Sequence, residues 1–122
     1  MVKQISREEL IRMCKAGERF TLVDVLSAES YSKEHIAGSI SIPLAELEEK
    51  AEAMLGKFDT IVVYCASFEC QASTKAAQML MAMGFDNVLD YKGGLKDFKE
   101  SGLALEGSLH IYNSCGSCCA CG

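Results

Sequence analysis

Seven cysteines lie in this 122-residue chain, at Cys14, Cys65, Cys70, Cys115, Cys118, Cys119 and Cys121. A thiol can be a packing residue, a soft metal ligand, a redox group or, once ionised, a strong nucleophile. Position separates these uses. Cys65 directly follows Thr60, Ile61, Val62, Val63 and Tyr64, an uncharged run of strand formers, and precedes a loop that leads into a helix. The unpaired N–H groups of a helix's first turn, with a macrodipole worth about half a positive charge, favour an anion at that end of the helix. A thiol in that setting is expected to ionise below its free value of about 8.5 and to act as a nucleophile at neutral pH. The competing reading of Cys65 is a small residue buried at a strand end.

The other cysteines divide by context. Cys14 recurs with Leu10 and Ile11 at helical spacing and reads as inert core. Cys115, Cys118, Cys119 and Cys121 crowd into the C-terminal peptide. They lack the second, separated knuckle from which structural zinc sites draw their other ligands. Soft-metal binding, a mobile thiol reaching Cys65, and a plain terminus all stay open for them. An odd cysteine count without a secretory pattern in Met1 to Ser6 argues against a secreted disulfide framework and for a cytoplasmic setting. Net charge is −5 with no basic block, which excludes nucleic acid and anionic membrane surfaces as expected partners. No stretch approaches the roughly 20 apolar residues of a membrane span.

The surrounding pattern supplies the elements that must hold Cys65. Ser6 and Glu9 form a capping box ahead of a helix that Gly17 stops. Residues 20–25 read as a buried strand that carries Asp24 near its end. Residues 27–35 are helix-permissive, and residues 39–42 alternate as a strand. Pro43 opens a helix with Leu44, Leu47, Ala51 and Leu55 on its apolar face. Ser73 is expected to cap a helix over residues 74–83, with Ala76, Ala77, Leu80 and Met83 inward. Residues 87–91 form another strand, Gly93 and Gly94 a turn, and residues 95–100 a short helix. This alternation predicts an α/β fold, a mainly parallel central sheet with helices on both faces, whose ligands bind beyond the carboxyl ends of the strands. Cys65 falls at that edge. The domain is expected over residues 1–107, with residues 108–122 a cysteine-rich tail.

Four segments together resemble the rhodanese homology domain in order and spacing, over about residues 2–107. They are residues 20–25, the run from His35 through Gly38 and Ser39 to Pro43, Val62 to Cys65, and Tyr91 through Gly93 and Gly94 to Phe98. The resemblance implies a rhodanese-like fold and a single-domain sulfurtransferase. In that chemistry Cys65 takes the outer sulfur of thiosulfate, a persulfide or a polysulfide as Cys65–S–SH. It then hands the sulfur to a thiol, cyanide or a sulfur-carrier protein. The backbone N–H groups of Ala66, Ser67, Phe68, Glu69, Cys70, Gln71 and Ala72 would cradle the terminal sulfur, and no metal or organic cofactor is implied.

Several positions depart from the family's pattern. The loop before Ser73 is longer than usual and contains Glu69 but no Arg or Lys; Leu26 and Phe98 replace a frequent Arg and the usual Trp. Arg7, Arg12 and Arg19 all lie far from the loop in sequence, and Lys75 is its nearest cation. A loop without a clamping Arg excludes cysteine phosphatase and arsenate reductase chemistry and predicts weak use of thiosulfate. Cys70 could attack a Cys65 persulfide, close a disulfide with Cys65, or pack the loop. His35 reads as structural, and Asp24 as a bond to the loop or a cap on the turn after its strand. Two alternatives to transfer remain: a non-catalytic regulatory or binding module of the same fold, and a thiol-redox or metal-handling protein using Cys70 and the tail.

Overall fold

Short runs of branched and aromatic residues build one parallel sheet in the computed structural model, which describes residues 3–102 and 105–106. In chain order the elements are β1 (Lys3–Ile5), α1 (Arg7–Lys15), β2 (Thr21–Asp24), α2 (Ala28–Lys33), β3 (His35–Ile36) and β4 (Ile40–Ser41). A 3-10 turn (Leu44–Glu46) then leads into α3 (Leu47–Met54). β5 (Thr60–Tyr64), α4 (Ala72–Ala82), β6 (Asn87–Tyr91), α5 (Gly94–Glu100) and β7 (Leu105–Glu106) follow. The sheet runs β1-β6-β5-β2-β4, with every pair parallel. β5 is central: Val63 stands beside Val23 on one side and Asp90 on the other.

The period-2 alternation of β5 splits the core into two layers. Ile61, Val63 and Cys65 face a cluster that contains Leu47 and Ala51 of α3 and Ala76, Ala77 and Leu80 of α4. Val62 and Tyr64 face Leu10 and Met13 of α1 and Phe98 of α5. Helices therefore cover both faces, as the alternating pattern predicted, and Cys65 belongs to the α3–α4 side.

Local details differ from expectation where side-chain contacts decide. In α1 the buried positions are Leu10 and Met13, while Ile11 and Cys14 lie half-buried at the rim. The capping box is present, with Ser6 Oγ accepting from Glu9 N at 3.2 Å. The antiparallel pair β3–β7 and the edge strand β1 have too few residues to show alternation in the sequence. His35 is structural: its ring stacks on Tyr31 at 3.7 Å, and its Nδ1 lies 2.6 Å from Tyr31 O. Asp24 caps the turn after its strand, its Oδ1 accepting from Leu26 N at 2.8 Å. Residues 107–122, with the four tail cysteines and the expected domain boundary, lie outside the described residues. Among the described residues no helix is long and apolar enough to cross a membrane.

Tyr64 ties β5 to the segment between β3 and β4. Its buried hydroxyl accepts from Ile36 N at 3.0 Å and lies 3.0 Å from Ser39 Oγ. Tyr64→Phe strands a buried N–H, so it is expected to cost about 1–3 kcal/mol. Urea unfolding should show this as a lower midpoint with an unchanged slope.

Candidate active site

All carboxyl ends of a parallel sheet share one edge, so the residues that leave those strands converge whatever their separation in sequence. Cys65 leaves β5, Lys92 leaves β6, and Ser6 and Arg7 follow β1. Cys65 is buried, and its backbone is clamped from α5: Leu95 N donates to Cys65 O and Lys96 N to Ala66 O, each at 2.8 Å. That approach requires Gly94. Its φ of +66° favours glycine, and a Cβ there would stand 2.4 Å from Cys65 O. The Gly93–Gly94 turn thus presses α5 directly against the loop. Phe98 sits buried beneath it, in edge contact with Tyr91.

The loop closes over Cys65. Cys70 N donates to Ser67 O at 3.1 Å, and Ser67 Oγ donates to Glu69 Oε2 at 2.9 Å. Cys65 Sγ lies 3.4 Å from Ser73 Oγ and 3.5 Å from Cys70 O. The two thiols are free and hydrogen-bonded to each other. Burial pushes the Cys65 thiol up and the bond to Cys70 adds to that, while the hydroxyl and N–H of Ser73 pull it partly back. Burial also opposes ionisation of Cys70. There, however, the hydrogen bond from Cys65, the N–H groups of Ala66 and Ala72 and the charge of Lys92 prevail and hold that thiol below its ordinary value. The expectation of an acidic Cys65 is therefore corrected. Of the two sulfurs, these surroundings favour the charge on Cys70 over Cys65.

Ser73 is corrected as well. α4 starts at Ala72 with Gln71 as an N-cap that makes no side-chain bond, and the buried Ser73 hydroxyl faces Cys65 instead. Of the predicted cradle, Ala66 and Ala72 direct N–H groups at the Cys70 sulfur, and Phe68, Glu69 and Gln71 are exposed. Lys75 is exposed on α4; the cations that reach the loop are Lys92, whose Nζ donates to Cys70 O at 2.6 Å, and Lys96, whose charge acts on Glu69. Arg7, remote in sequence, joins the same neighbourhood, 3.2 Å from Asp97 Oδ1. A groove of about 350 Å³ runs beside the loop between Arg7, Phe68, Tyr91, Lys92 and Asp97. The parallel pairing of β1 with β6 creates this juxtaposition, and nothing in the local sequence marks it. Lys92→Gln removes the cation, so the pH at which Cys70 becomes alkylated by iodoacetamide is expected to rise; peptide mapping across pH reads the shift.

Comparison with known proteins places these features in a family. The family model described as "Rhodanese-like domain" matches residues 6–101. The HTH-type transcriptional regulator Rv0324 of Mycobacterium tuberculosis is 36% identical over 84% of this chain and 44% of its own length. The chain thus spans less than half of that relative. The thiosulfate sulfurtransferase PspE of Escherichia coli is 42% identical over 62% of this chain and 70% of its own. Among solved structures, the rhodanese-like domain of the Alr3790 protein from Anabaena sp. superposes with a TM-score of 0.80 at 31% identity, covering 93% of this chain and 91% of that one.

Proposed function

The chain belongs to the rhodanese-like domain family, and on that footing we propose that it is a sulfurtransferase carrying sulfane sulfur as a persulfide on Cys65. The observation that carries this reading is the hydrogen-bonded pair Cys65–Cys70 under converging N–H groups at the carboxyl edge of the sheet. Cys70, the more acidic partner, takes the Cys65 proton in its thiolate form as Cys65 Sγ attacks the outer sulfur of a donor. A sulfur–sulfur bond forms at Sγ, and the donor's own bond to that sulfur breaks. Sulfite leaves if the donor is thiosulfate, and a thiolate leaves if it is a persulfide or polysulfide. The N–H group and hydroxyl of Ser73 face the reacting Cys65 sulfur, while the N–H groups of Ala66 and Ala72 face Cys70. A thiolate, cyanide or sulfur-carrier protein then attacks the outer sulfur, and Cys65 departs and recovers its proton from Cys70.

Donor preference follows from charge. Two cations lie at the loop: the Lys92 ammonium is already engaged by Cys70 O, and the Lys96 charge is opposed by that of Glu69. A thiosulfate dianion gains little there, whereas a polysulfide needs no oxyanion clamp. Because relatives are named thiosulfate sulfurtransferases, thiosulfate stays within the proposed donors, at higher concentration. At equal micromolar donor, sulfur transfer from polysulfide should outrun sulfite release from thiosulfate. Efficient turnover at micromolar thiosulfate contradicts the preference. The likeness to part of a transcriptional regulator favours a second reading, a regulatory module. That reading predicts loading of Cys65 without turnover to cyanide or thiols.

A further inference from the structure

We propose that Cys70 is a second catalytic thiol, which resolves the Cys65 persulfide and releases its outer sulfur as hydrosulfide. The inference rests on the transfer reading above. It starts from where Cys70 is held. Its backbone is fixed over Cys65 by Cys70 N to Ser67 O at 3.1 Å and by Lys92 Nζ on Cys70 O at 2.6 Å. The Cys70 carbonyl lies 3.5 Å from Cys65 Sγ, and the two side chains are in hydrogen-bond contact. The N–H groups of Ala66 and Ala72, expected to cradle a terminal sulfur, point at the Cys70 sulfur instead. Cys65 is fully buried and Cys70 only partly so, which leaves a persulfide on Cys65 closer to Cys70 than to bulk solvent acceptors. An acceptor thiol must diffuse in, whereas Cys70 is already in place at high effective concentration.

The step balances without an outside reagent. Cys70, which took the Cys65 proton during loading, passes it to the outer sulfur, and the resulting thiolate attacks the inner sulfur, Cys65 Sγ, so that a bond forms between the two cysteine sulfurs. The bond from Cys65 Sγ to the outer sulfur breaks, and the outer sulfur leaves with the bonding pair and that proton as HS⁻. The zero-valent sulfur is reduced to sulfide, and the two cysteines supply its electrons by becoming a disulfide. Attack at the inner atom is also favoured by the leaving group, since hydrogen sulfide is a stronger acid than an alkyl thiol and its anion departs more readily. Attack at the outer atom would instead expel a buried Cys65 thiolate, the poorer leaving group. A dithiol-class reductant from solution then restores both thiols for another cycle.

The test uses the full chain, briefly exposed to inorganic tetrasulfide, desalted, blocked at its free thiols and peptide-mapped, with sulfide assayed after desalting. Wild type should yield a Cys65–Cys70 disulfide and a matching equivalent of sulfide. Cys70→Ser, exposed until the adduct reaches a plateau, should keep about 32 Da on Cys65, with sulfide released per adduct lowered at least roughly tenfold. A wild-type chain that holds the adduct while Cys70 stays open to alkylation overturns the inference and leaves transfer standing. So does a disulfide from Cys65 to any other cysteine. Absence of adduct and disulfide in both chains removes the transfer reading itself.

Discussion

Cys65→Ser is expected to lower sulfur transfer to cyanide by at least about a thousandfold, the scale on which removal of a covalent nucleophile acts. The hydroxyl is a far weaker nucleophile than the thiol and cannot store sulfane sulfur as a persulfide. Folding should survive the change. The serine oxygen occupies the same buried position with Ser73 Oγ and Cys70 O within reach, so the unfolding midpoint should move by no more than about 1 kcal/mol of stability. Loss of transfer with retained stability separates a chemical role from a packing one. If transfer persists at wild-type rate, the sulfur does not pass through Cys65.

Gly94→Ala carries the largest structural effect. The left-handed backbone costs a non-glycine residue about 1–2 kcal/mol, and forcing a methyl group into a filled space costs about 1–3 kcal/mol more. The methyl group would stand 2.4 Å from Cys65 O and 3.0 Å from Ala66 C, both backbone atoms that cannot rotate away. Relief requires α5 to withdraw, which breaks the bonds of Leu95 N and Lys96 N to the loop. A loss of about 3 kcal/mol and a Tm lower by about 10 °C are expected, with activity impaired in the fraction that folds. Gly102→Ala is the control. Its φ of +79° carries the same backbone penalty, but its added methyl group meets nothing within 4 Å. Equal losses in the two variants would show that the α5–loop contact does not position Cys65.

How far the sequence foretold this site depends on the kind of information each residue carries. β5 and β6 were legible to the residue, β5 as an unbroken run of strand formers and β6 from Val88, Leu89 and Tyr91 between the Gly84 stop and the Gly93–Gly94 turn. The placement of Cys65 followed from the end of β5. The Gly93–Gly94 pair marked a turn, although only the structure shows that its purpose is close approach to Cys65 O. Lys92 and Arg7 escaped local reading because strand order, not sequence distance, brings them to the loop. Ser73 looked like a cap by residue type, yet the helix begins two residues earlier than that cap implies and frees its hydroxyl for the thiol. The ionisation of the pair was misassigned for a related reason. A helix start favours an anion, but which of two neighbouring sulfurs holds the charge depends on burial and on the particular N–H groups each one meets, and neither is written in spacing.

Where the transferred sulfur resides decides whether transfer runs through Cys65. In a Cys70→Ser chain, where a persulfide on Cys65 has no neighbouring thiol to resolve it, prolonged exposure to excess polysulfide followed by peptide mass analysis should place about 32 Da on the peptide containing Cys65. The same treatment of a chain that also carries Cys65→Ser should leave that peptide unmodified. A sulfur found only on Cys14 or a C-terminal cysteine, or nowhere on the chain, would contradict a Cys65 persulfide.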